Sequence, residues 1–180
     1  ATASIEHVTV DADGGVLVGA YDTAAISGRL ASTVDASGGS GINGSGDVVS
    51  FNGQIATNVV LGKAAALIDD ADITSGGDVE VTAVNDARVD ARLYSSGVSG
   101  ATAYGITLAF NSVGWDAQNF LFNAVDTIIG ANYIADDGFG GNVGADATAK
   151  VTDSTISAVG ALSVTADNIA QVNSTVSNTA

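Results

Sequence analysis

An internal repeat constrains the fold of this chain more than any other sequence feature. Three segments align without gaps, residues 1–30, 64–93 and 147–176, at separations of 63 and then 83 residues. Similar residues recur in aligned columns, for example Val16/Val79/Leu162, Val18/Val81/Val164 and Ile26/Val89/Val172. Because each unit of a repeat of this length packs against its neighbours, the sequence predicts similar layers stacked along one axis.

Within each copy the apolar residues alternate with other residues. Val16, Val18 and Ala20 follow this spacing of two, which is typical of a strand with one buried face. Gly-rich corners interrupt it, as at 13–15 and 75–77. We therefore predict an all-β fold, a parallel β-helix (β-solenoid) of right-handed sense, whose Val18 and Ile26 columns are fully buried. The aligned Asn85 and Asn168 either form an inward ladder of amides or serve as turn residues.

A second, shorter block separates the main repeats. Residues 48–52 resemble 107–111, an alignment that pairs Phe51 with Phe110. It leaves an insertion over about 112–146 in the second copy. The sequence thus predicts a single segment, 1–180, divided into repeats 1–63, 64–146 and a partial 147–180.

The insertion breaks the spacing of two and carries the single Trp of the chain. Its apolar residues Trp115, Phe122, Val125 and Ile129 fit one face of a short amphipathic helix, and Gly130 is a plausible stop. This face either packs onto the solenoid or binds a partner. Under the second interpretation, the binding residues are Trp115, Phe120 and Phe122.

Composition excludes several classes of function. The chain has 20 acidic and 5 basic residues, a net charge of −15 and a pI of about 4.1, which argues against nucleic-acid binding. Cys is absent, so neither disulfides nor thiolate metal sites form. No apolar run is long enough to span a membrane as a helix.

Clustered carboxylates at the predicted corners are the candidate metal ligands. Oxygen donors on Gly-rich loops suit Ca²⁺, and two sets fit: Asp69, Asp70 and Asp72, and Asp136, Asp137 and Asn142. Asp also caps turns through its own side chain, and this alternative stays open. Calcium is the one cofactor that the sequence suggests.

The motifs resemble the repeats of giant bacterial surface proteins of the filamentous-haemagglutinin and leukotoxin-type filamentous adhesin families. The resemblance is carried by residues 64–70, 76–83, 85–89, 105–111 and 113–119. It implies secretion, a parallel β-helix, and an adhesive or fibrous role at the bacterial cell surface. The family pattern supplies no catalytic residues. The first copy departs from it, with His7 where the other copies have Asp70 and Asp153.

These features predict a non-catalytic structural segment of an extracellular bacterial fibre or adhesin. Its expected partners are adjacent repeats of the same polypeptide, or copies of itself, stacked end to end. The alternative is a binding module that recognises a glycan, a protein or a host cell surface through the 112–146 insertion. A third hypothesis, a polysaccharide-degrading β-helix enzyme, requires a cleft with converging carboxylates and a base.

Overall fold

A computed structural model describes residues 1–36, 49–99, 102–115, 120–130 and 143–179. Strands dominate these ranges, as the alternating pattern predicts. The strands and the one helix of the described residues are β1 Thr2–Glu6, β2 Thr9–Ala12, β3 Val16–Ala36, β4 Val49–Val60, β5 Lys63–Asp69, β6 Asp72–Ser75, β7 Val79–Ser99, β8 Thr102–Val113, α1 Phe120–Ile129, β9 Asp146–Thr152, β10 Thr155–Ala158 and β11 Leu162–Thr179.

The strands form parallel sheets in the orders β1-β5-β9, β2-β6-β10, β3-β7-β11 and β4-β8. We call β1–β4 the first layer, β5–β8 the middle layer and β9–β11 the third layer. Thr2 pairs with Ala65 and Val16 with Val79, while Lys63 pairs with Asp146 and Val79 with Leu162. The all-β prediction and the aligned columns are confirmed. The repeat boundaries themselves stay a prediction.

The pairing of β4 with β8 corrects one predicted alignment. Phe51 pairs with Tyr104, and Thr57 pairs with Phe110, so the expected match of Phe51 with Phe110 is wrong. The connection from β3 to β4 covers 37–48, whereas the connection from β7 to β8 covers only 100–101. The two connections differ in length, so an alignment based on a short stretch of similar apolar residues placed β4 and β8 in the wrong register. The connection from β8 to β9 is much longer and covers residues 114–145. The predicted insertion over about 112–146 stays a prediction.

The core lies on one face of β7, on which every odd-numbered residue from 79 to 95 is buried. Val81 and Val89 are 0% and 1% exposed, and in the first layer Val18 is 4% exposed while Ile26 is partly buried. In the third layer, Val164 and Val172 are 46% and 48% exposed. The prediction that both columns are fully buried is therefore wrong for the third layer and for Ile26. No described residue pairs with the far edge of that layer.

The two-stranded sheet β4-β8 reverses the usual amphipathic arrangement. Asn52 and Gln54 are buried on its inner face, whereas Phe51 and Tyr104 are exposed on its outer face. The two rings stack with centroids 5.2 Å apart. The alternation of side chains along a strand thus determines which residues share a face, but in the β4-β8 sheet the polar face points inward.

The insertion contains the predicted helix, which ends at the predicted residue but begins at Phe120 rather than at Trp115. Helix α1 ends before Gly130, whose φ of 74° and hydrogen bond to the Asp126 carbonyl (2.9 Å) form a left-handed C-terminal cap. Trp115 does not belong to this helix and forms an antiparallel bridge with Val143. The predicted helical face containing Trp115 is therefore wrong. The side chains of Phe120 and Phe122 lie outside the described part of the structure.

Candidate functional site

A column of left-handed residues marks one corner of all three layers. His7, Asp70 and Asp153 have φ values of 53°, 48° and 48°, and each lies between two short strands. Residues other than Gly adopt this conformation at a cost, and Asp tolerates it because its short side chain bonds locally. The corner is thus specified by the backbone, which supports the turn interpretation of these Asp residues.

His7 and Asp70 form an ion pair between the first two layers. His7 Nδ1 lies 2.8 Å from Asp70 Oδ2, and both side chains are well exposed. The hydrogen bond to Asp70 and the charge of that carboxylate raise the pKa of His7 above 6.5, with smaller contributions from Asp69 and Glu6. The contact with Asp70 therefore favours the charged form of the imidazole.

An open pocket of about 250 Å³ lies at this corner. Its lining includes His7, Asp70, Asp72 and Asp153. Asp69, the last residue of β5, is paired in the sheet with Glu6 and Thr152. Within the described ranges, no group of three or more His, Cys, Asp or Glu residues has the arrangement of a metal site. A calcium site at Asp69, Asp70 and Asp72 stays a prediction.

The second predicted calcium set, Asp136, Asp137 and Asn142, lies outside the described residues. For the enzyme hypothesis, the His7 corner does bring carboxylates and an imidazole together. The imidazole there is already engaged by Asp70, and the pocket is an open surface depression. The geometry is that of an ion pair at a turn, and the hypothesis gains no support from it.

The Asn column forms the inward ladder that the sequence left open. Asn85 is fully buried, and its amide nitrogen donates to Gly62 O (3.2 Å) and to Asn168 Oδ1 (3.1 Å). Asn168 in turn donates to Ala145 O (2.6 Å). Each Asn therefore ties a long strand to the segment just before the first strand of its layer. The turn interpretation of Asn85 and Asn168 is wrong, since both lie within strands.

Gly62 lies against this ladder in the middle layer, a contact that sequence reasoning missed. A Cβ on Gly62 would lie 2.5 Å from Asn85 Oδ1. The aligned residue of the third layer is Ala145, beside the more exposed Asn168. The register of the ladder, rather than the local Gly-Lys sequence, explains the glycine.

A second set of polar links joins β4 to β8, to β7 and to β3. Asn58 donates to Asn111 Oδ1 (2.8 Å) across the two layers, and Gln54 donates to Tyr94 O (3.1 Å). Ser32 donates to Asn52 Oδ1 (2.8 Å). The alignment of Asn58 with Asn111 would have revealed this ladder in the sequence, had the register of β4 and β8 been placed correctly.

The outer face of β7 neutralises part of the acidic charge. Arg88 pairs with Asp86 (3.0 Å) and Arg92 with Asp90 (2.9 Å), each through two hydrogen bonds. These bonds raise the pKa of both guanidinium groups. The Arg29 guanidinium lies 5.3 Å from the centre of the Tyr94 ring. Three of the 5 basic residues of the chain are thus committed to contacts on this face.

Trp115 lies at the base of the insertion and is buried, with 4% of its surface exposed. Its backbone exchanges hydrogen bonds with Val143 (2.6 and 2.8 Å), and its side chain packs with Val59 and Val143. This arrangement closes the neck of the insertion against β4. It favours the packing alternative for Trp115, and partner binding by the insertion stays a prediction.

The third layer presents the largest exposed set of apolar side chains in the core columns. We call the edge of β9, β10 and β11 with which no described residue pairs the upper edge. Each of the following core-column residues of β11 is at least 46% exposed: Leu162, Val164, Val172 and Val176. An unpaired strand edge with apolar side chains is a surface on which another strand adds.

No family model, curated protein or solved structure matches this chain. Among the described residues, no helix has both the length and the apolar character needed to cross a membrane. The functional argument therefore depends on the geometry of the layers.

Proposed function

We propose that this chain is a non-catalytic structural segment of an extracellular bacterial fibre or adhesin, folded as a right-handed parallel β-helix. One observation carries the proposal: three layers stack in continuous parallel register, with side-chain columns that match from layer to layer. Such stacking directs backbone hydrogen bonds along one axis. A rod built in this way extends by adding layers, and each layer has neighbours above and below.

The ladders explain how the rod would resist bending and proteolysis. The amide ladder of Asn85 and Asn168 and the contact of Asn58 with Asn111 add side-chain hydrogen bonds parallel to the backbone bonds. Protease attack on a strand requires its local opening, and each opening would break bonds to two layers. The partners in this role are adjacent repeats of the same polypeptide or further copies, stacked end to end.

The charge of the chain fits a surface-exposed rod. A net charge of −15 keeps parallel rods apart through mutual repulsion and maintains solubility. The paired arginines on the outer face of β7 leave that face without excess positive charge. This favours an extracellular segment over one that binds nucleic acid.

Immunogold labelling of intact source cells tests the proposal. An antibody raised against this chain should label the outside of unpermeabilised cells, on fibres of uniform width. Fibre diffraction of the purified chain should give a meridional spacing of about 4.8 Å, the separation of parallel strands. Labelling that appears only after permeabilisation would contradict the extracellular role.

A further inference from the structure

We propose that the upper edge binds the β1, β2 and β3 edge of a second copy of this chain, head to tail. We call that second surface the lower edge. The inference rests on the proposed structural function and names the partner of the stacking surface. No described residue pairs with either edge, whereas every strand from β5 to β7 has a neighbour on both sides.

The chain itself demonstrates the fit of these surfaces. Strand β7 receives β3 on one side and β11 on the other, both parallel and both in gapless register. A second copy placed on the upper edge continues the same columns. Its Val18 lies on Val164 and its Ile26 lies on Val172, as these residues already lie on Val81 and Val89 within one chain. The inward side chains of the third layer are then buried by a neighbouring layer on each side, as those of the middle layer already are.

A polar contact in the amide column specifies which edge is the partner. The Asn85 nitrogen donates one hydrogen within its own layer and the other to the layer above. Asn168 repeats the first of these bonds through Ala145. Its second hydrogen is then placed for the layer above, where the second copy presents Asp22. A carboxylate oxygen can accept that bond. In the described residues, the contacts of Asp22 with Lys63 N and with the N-terminal ammonium both use Oδ2, which leaves Oδ1 as the acceptor.

The corner column adds a charge contact. Within one chain His7 Nδ1 pairs with Asp70 across one layer step. In the head-to-tail stack, His7 of the second copy lies in the layer next to Asp153 of the first copy. The cation thus separates two acidic corners, Asp153 of one copy and Asp70 of the next. Stacking of two upper edges would offer no such cation, because it brings one Asp153 against another.

The purified chain tests this inference by sedimentation velocity and electron microscopy over a range of concentrations. The wild type should form filaments whose mean length grows with concentration, since a head-to-tail contact does not close. Val172→Asp places a charge in the inward column of the upper edge and should leave the chain monomeric. Gln171→Asp adds the same charge on the outward side, beside Arg88, and should still form filaments.

A mixing experiment tests the polarity of the contact. Val172→Asp retains the lower edge, so a small amount added to the wild type should cap growing ends and shorten the filaments. Circular dichroism and the melting temperature establish that both variants fold. A wild type that stays monomeric, that stops at dimers, or that is not shortened by Val172→Asp would overturn the head-to-tail proposal. These results concern the purified chain, so they are separate from cell-surface labelling, and either can fail without the other.

Discussion

The middle and third layers carry almost the same pattern but differ sharply in burial. Val81 and Val164 occupy one column, paired to each other, and are 0% and 46% exposed. The difference lies in their surroundings: β7 is flanked by β3 and β11, and β11 by β7 alone among the described residues. An inward-facing column is therefore not a core until layers lie on both sides of it. The following predictions test this difference, from the largest expected effect to the smallest.

Replacing the same column residue by Asp in each layer separates the two cases most strongly. Val81→Asp buries a carboxylate without a partner and should lower the free energy of unfolding by about 4 kcal/mol or more. In the unstacked chain, at low protein concentration, Val164→Asp leaves the charge in water and should cost less than about 1 kcal/mol. Urea denaturation followed by circular dichroism measures both. Equal losses would show that the third layer is as enclosed as the middle one.

The glycine beside the amide ladder tests how tightly the middle layer is packed. Gly62→Ala forces a Cβ against Asn85 Oδ1 and should cost about 2 kcal/mol, since overpacking of a buried site is not relieved. Gly53→Ala is the matched control, because a Cβ there meets no atom within 4 Å. Thermal unfolding of the two variants provides the comparison. A fully stable Gly62→Ala would mean that Asn85 can move aside without losing its bonds.

Adding a hydrogen-bond donor between the first and middle layers of the amide ladder should stabilise the chain. Asn85 Oδ1 is buried with no hydrogen-bond partner among the described residues, and the residue below it in the column is Asp22. Asp22→Asn supplies an N–H there while its oxygen can still accept from Lys63 N. We expect a gain in the free energy of unfolding of about 1 kcal/mol.

The Asn85→Asp variant is the complementary test of the same column. It removes the donor to Gly62 and Asn168 and places a second carboxylate above Asp22. It should therefore destabilise the chain in both wild-type and Asp22→Asn backgrounds. Asp22→Asn without any gain in denaturation experiments would contradict a donor deficit at this step.

The corner ion pair should give the smallest effect, because it is exposed. The pKa of His7 is raised in the folded chain, so its stabilising contribution is complete below pH 6.5 and is lost as the pH rises through the raised folded value. An NMR titration of the His7 ring measures that pKa. Asp70→Asn should return it toward 6.5 and remove the pH dependence. An unchanged His7 pKa in that variant would exclude Asp70 as its cause.

Sequence reasoning succeeded where the chain repeats itself without gaps. The columns from Ile5 to Val172 pair as aligned because alternation sets the facing of each residue, and a slip of one residue would reverse every face. It failed at β4-β8, where unequal loops shift the register. It also failed at Trp115, because the spacing of apolar residues fits a helix as well as it fits a bridge at the neck of an insertion.

The sequence by itself determined the strands, their parallel stacking in three layers and the Gly130 stop of α1. These features depend on the local conformational preferences of the residues and on the spacing of apolar residues and repeats, both of which can be read from the sequence. Only the tertiary structure decided that Asn85 spans the interior to Gly62, that Asn52 points inward while Phe51 points outward, and that Val164 is exposed. The physical reason is that burial and hydrogen-bond partners belong to pairs of layers, and no single strand encodes what lies across from it.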